Sequence, residues 1–178
     1  MSELFNLANY GPNAHAERVL LSSVAILLLG IYVLLQNRKS TGNLAFSLIC
    51  FCMFVWLSGF GFMSFVKKEA ITLYWFKYAE AGVCFIPASV YFFAVSFVSL
   101  FKEKRHWVVF CYSVSTVFAV LLLSTDYFVS GVHKYYWGYY DLFGPLGHAF
   151  MVYFVLLMMA SIYRFYYGLR RARTEHAR

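Results

Sequence analysis

The sequence predicts an all-α protein, a polytopic transmembrane bundle of five helices forming a single membrane-embedded domain. Three observations predict it. Of 178 residues, 62% are hydrophobic and only 13% are charged, with a mean hydropathy of +0.64, too little polar surface to cover a soluble globule of this size. The apolar residues fall into five separated runs, and a hydrocarbon core about 30 Å thick takes about 20 such residues per helix. The alternating polarity of barrel strands, in segments of roughly ten residues, does not occur.

In chain order, the opening "MSELFNLANYGPNAHAER" carries no basic n-region before its first charge, Glu3, so no cleavable signal is expected and the tail reads as short and translocated. Asn13 is the expected cap of the first helix, with Glu17 and Arg18 at the edge of the bilayer. The expected helices cover about 19–35, 44–66, 71–101, 107–125 and 143–168. They are joined by "QNRKSTGN", "KKEA" and "KEKRH", links so short that neighbours must run antiparallel in one bundle. The longer link, residues 127–147, holds five tyrosines, Trp137, Phe128 and Phe143 among Gly, Asp and Pro145. It reads as an aromatic-rich re-entrant or interfacial cap; an ordinary aromatic belt and a lid over a ligand are the two roles open to it.

Orientation follows from the basic residues, which collect on the cytoplasmic side of short loops. Arg38, Lys39, Lys102, Lys104, Arg105, Arg164, Arg170, Arg171, Arg173 and Arg178 fall on one side. Arg18, Lys67, Lys68, Lys77 and Lys134 fall on the other. The first group belongs in the cytoplasm, which puts the N-terminus outside and the C-terminus inside. The net charge of +7 then reads as a topology signal and an attraction to anionic lipid head groups, not as nucleic-acid binding.

No catalytic machinery is legible. Cys50, Cys52, Cys84 and Cys111 lie in predicted helices without metal or disulfide spacing and read as small apolar residues. His15, His106, His133, His148 and His176 do not cluster, and no phosphate loop, nucleophile elbow or carboxylate dyad is present. No cofactor and no metal is expected.

What does stand out is "WFKYAEAGVCFIP", residues 75–87, which places Lys77 and Glu80 inside an apolar helix. One reading pairs them with each other at i, i+3 while Lys77 snorkels to the interface. The other notes that Glu80, Cys84, Pro87 and Tyr91 repeat at i, i+4, i+7 and i+11, one stripe down the helix. Pro87 removes a backbone donor and is the expected conformational hinge. Intramembrane ionisable groups are costly and mark functional cavities. Trp56, Lys77, Glu80, Tyr91, Asp126 and His148 are therefore the candidate ligand-binding residues of an outward-facing pocket. Arg170, Arg171 and Arg173 are the candidate cytoplasmic relay, with a topology anchor as their plainer role.

"WFKYAEAGVCFIPASVYFFAVSF" (residues 75–97) resembles the third helix of the seven-helix N-terminal sensor region of bacterial histidine kinases. "FVSGVHKYYWGYYDLFGPLGHAF" (128–150) is similar to the outer loop of that family, with Ser-Gly, Trp-Gly-Tyr and Gly-Pro-Leu in order. "FCMFVWLSGFGFM" (51–63) fits its second helix, Trp56 and Gly59 included. The resemblance implies a signal-input module of the bacterial plasma membrane, feeding a cytoplasmic kinase or other transmitter in the same or another chain, and a homodimer. The family pattern has seven helices against five expected here, so the chain is either the first part of a longer sensor or a shortened relative. The rival class is a small transporter or channel subunit that uses the same embedded polar residues. A retinal-type photoreceptor is disfavoured, because Lys77 lies close to one interface.

Overall fold

The computed structural model describes residues 9–11, 13–135 and 138–176, excepting the side chains at 14, 132–135, 138–141, 169 and 171–176. Its elements are α1 (Ala14–Gln36), α2 (Thr41–Phe65), α3 (Glu69–Phe97), α4 (Phe101–Ser124), β1 (Val129–Tyr135), β2 (Gly138–Phe143) and α5 (Pro145–His176). All five helices are long and apolar enough to cross a membrane.

Side-chain caps set two of the helix starts. Asn13 accepts from the His15 and Ala16 amides at 2.9 and 3.4 Å, as its sequence position predicts, and its own amide donates to the Ser64 carbonyl at 3.0 Å. Ser40 opens α2 by accepting from the Asn43 amide. Pro145 heads α5, where its missing N–H would have had no helical partner.

The boundary between α3 and α4 corrects the sequence reading. The expected third helix ran through residue 101 and the fourth began at 107; in the structure α3 stops at Phe97 and α4 starts at Phe101. Ser99 adopts the left-handed conformation, φ 60°, and the Leu100 amide returns to the Val95 carbonyl at 2.9 Å. The charged "KEKRH" stretch, expected as a link, forms the first turns of α4 instead.

A second correction concerns residues 127–147. They form an antiparallel hairpin, β1 on β2, with His133 opposite Tyr140 and a bulge between Val129 and Gly131, and only their last part runs into α5. The expected fifth helix began at 143, a position that belongs to β2. Valine, tyrosine and phenylalanine favour the pleated surface, and two-stranded edges cannot face hydrocarbon, so the hairpin caps one end of the bundle outside the lipid.

The helix α3 packs against α2, α4 and α5, whereas α1 packs against α2. The α2/α3 crossing is close because a Cβ on Gly59 would lie 2.7 Å from Ala79 Cβ, and one on Gly82 would lie 2.8 Å from the Cys52 carbonyl. Two apolar clusters fill the interior. Phe76, Cys84, Leu122, Phe128 and Phe150 pack towards the hairpin; Ala45, Ala88, Tyr91, Val95 and Leu157 form the other cluster. The four cysteines are buried and free.

Candidate functional site

The helix α3 carries Lys77, Glu80, Pro87 and Tyr91, and α2, α4 and α5 all pack against it. Glu80 is 6% exposed, Cys84 and Pro87 are fully buried and Tyr91 is 5% exposed, so the stripe read at helical spacing faces the interior. At 1.5 Å per residue, Glu80 and Tyr91 lie about 16 Å apart along the axis. They belong to different layers, with Cys84 in the cluster near the hairpin and Tyr91 in the other.

Lys77 and Asp126 are brought together. The ammonium nitrogen lies 3.1 Å from Asp126 Oδ1 and donates to the Thr125 carbonyl at 3.3 Å, which ties α3 to the end of α4. Asp126 is 91% exposed against 19% for Lys77, so the pair reaches from the protein towards water. Trp56 is half-buried on α2, edge-on to Phe60 with ring centroids 5.8 Å apart, and its backbone nitrogen faces Gly82.

His148 stands apart from the buried stripe. It is exposed in the first turn of α5, with its Nδ1 2.8 Å from the Gly144 carbonyl of the same turn. At the far end of α5 the Arg170 guanidinium covers the Tyr166 ring at 4.7 Å, a pair one turn apart. Arg171 and Arg173 continue that helix, and their side chains lie outside the described residues.

The structure adds polar groups that the sequence reading passed over. Tyr112 of α4 and Ser89 of α3 lie 2.9 Å apart, oxygen to oxygen, and Cys52 Sγ of α2 lies 3.8 Å from the same serine. Tyr153 of α5 donates to the Cys111 carbonyl of α4 at 2.9 Å and lies 3.1 Å from Ser115, whose hydroxyl therefore donates to it. A membrane interior offers these hydroxyls no water, so each must find a partner across a helix interface. The available signal was serine and tyrosine inside otherwise apolar runs.

Where the helices leave the bundle, α5 leans on the α3/α4 turn. Phe165 meets Phe93 and Phe97 at ring-centroid distances of 6.0 and 5.6 Å, and a Cβ on Gly168 would collide with Val98. Among the described residues, no three of His, Cys, Asp and Glu gather as a metal site.

Searches of curated proteins and of solved structures returned no significant match. A family model described as the N-terminal 7TM region of histidine kinase matches residues 18–178, nearly the whole chain, and agrees with the five spanning helices. The chain is a multi-pass membrane protein and belongs to the family of N-terminal 7TM regions of histidine kinases.

Proposed function

We propose that this bundle is the signal-input module of a bacterial sensor kinase or related signalling protein, with the N-terminus outside and the C-terminus in the cytoplasm. Its input is a small ligand or a proton, taken up between α2, α3, α4 and α5 on the hairpin side, where Trp56, Lys77, Glu80, Asp126 and His148 supply the polar contacts. The observation that carries this reading is Glu80, an acid only 6% exposed within a membrane-spanning helix that three other helices touch. Ionisable groups inside membrane-spanning helices are rare and mark ligand or proton pathways.

The output leaves through α3 and α5. Pro87 withholds one backbone donor from the middle of α3, which lowers the cost of bending there. Occupancy near Glu80 then selects one of two α3 arrangements, and Phe93, Phe97 and Val98 pass the difference to Phe165 and Gly168 of α5. Tyr91 packs the interior on this route and Arg170, Arg171 and Arg173 continue it towards a cytoplasmic kinase. Two copies side by side would present paired α5 ends to that kinase.

The test is phosphoryl transfer by the intact kinase in native membrane vesicles, with and without the Glu80→Gln substitution. Glutamine keeps the shape and removes the charge. We expect output locked in one state, insensitive to conditions that switch the wild type. A substituted protein that still switches over the same range would overturn the role of Glu80.

A further inference from the structure

Between α1 and α2 lies a slot of about 190 Å³, lined by Leu27, Gly30, Ile31, Leu44, Leu48 and Phe51 among others. It is apolar because its one hydroxyl, Ser47, is engaged 2.8 Å from both the Gly30 and Asn43 carbonyls. Its α1 wall runs from Leu27 to Leu34, about 10 Å along the axis at 1.5 Å per residue. That wall ends one turn short of the Asn37–Ser40 connector, at the membrane edge. Leu28, Ile31, Tyr32 and Leu35 are all exposed on the same half of α1, which places the slot on the lipid side of the protein.

The connector brings two cations to the mouth of the slot. Arg38 and Lys39 are both exposed, and the sequence holds no acidic residue from 18 to 68, so the one acid on α1 and α2, Glu17, lies at the opposite end of α1 from these cations. A hydrocarbon-sized slot that opens beneath two exposed cations complements an apolar chain joined to an anion. We propose that this slot holds one acyl chain of an anionic phospholipid whose phosphate sits on Arg38 and Lys39. The lipid splints α1 to α2, the helix it packs against.

Native mass spectrometry of the detergent-purified protein, given equal amounts of phosphatidylglycerol and phosphatidylcholine, tests the site. We expect one phosphatidylglycerol retained in preference. The R38Q/K39Q double variant, altered only in an exposed connector, should lose roughly fivefold in retention per cation removed. Ile31→Trp, which fills the slot from its lipid side, should abolish retention, whereas Val24→Trp, on α1 outside the slot, should leave it unchanged. Equal retention of the two lipids, wild-type retention in R38Q/K39Q, or equal loss in the two tryptophan variants would overturn the site. Lipid retention is read without any kinase output, so its failure leaves the signalling proposal standing.

Discussion

Lys77 shows how one residue reconciles charge with lipid. Its stem runs along α3 while its ammonium group reaches the Asp126 carboxylate and the Thr125 carbonyl, so the charge is spent at the end of α4. Because Asp126 is 91% exposed, water screens the pair, and Asp126→Asn should cost less than about 1 kcal/mol in equilibrium unfolding from mixed micelles. The buried hydroxyls behave differently. Tyr112→Phe removes the Ser89 bridge and should cost about 0.6 kcal/mol, with an upper bound near 1.7 kcal/mol. Tyr153→Phe removes a donor to Cys111 and an acceptor for Ser115, so it should cost more than Tyr112→Phe in the same titration. A Tyr153→Phe protein as stable as wild type would show that the Ser115 hydroxyl and the Cys111 carbonyl find other partners.

Among the membrane-spanning helices, α3 is the most buried. At its crossing with α2, Gly82→Val would press a branched side chain into the Cys52 carbonyl and should destabilise the bundle by about 1–3 kcal/mol, measured by the same unfolding assay. Near the other end, Gly168→Val should push α5 off Val98 and alter kinase output more than stability, because that contact lies at the tip of the α3/α4 turn. Much of this level was legible. The five apolar runs, the Asn13 cap and the inward stripe of α3 all follow from spacing and composition. The α3/α4 boundary was not, because "FAVSFVSLF" carries no charge and its turn rests on Ser99 at φ 60° without a glycine or proline to mark it. The hairpin was missed because its aromatic and glycine content fits an interfacial loop equally well, and β-propensity only acquires meaning once a partner strand is known. Of the two readings of Lys77, one paired it with Glu80 three residues on and the other set it in a pocket with Asp126; the direct contact with Asp126, 49 residues away, needed the fold.

For the molecule as a whole, membership of the histidine-kinase 7TM family and an acid buried in the most enclosed helix point the same way. In the signalling route we propose, input enters near Glu80, α3 bends at Pro87, and α5 carries the change out past Phe165. That sequence of contacts is a two-state device only if the α5 end moves when the Glu80 charge is removed. The most direct measurement is the distance between spin labels at Glu103 of α4 and Tyr167 of α5, both exposed, in liposomes, on protein whose four native cysteines have been replaced. Pulsed electron resonance should show a distance distribution in Glu80→Gln shifted from that of the Glu80 protein by roughly 1–2 Å or more, the scale of interface helix shifts. Superimposable distributions in the two proteins would contradict the account, since the buried acid would then have no hold on the helix that leaves the membrane.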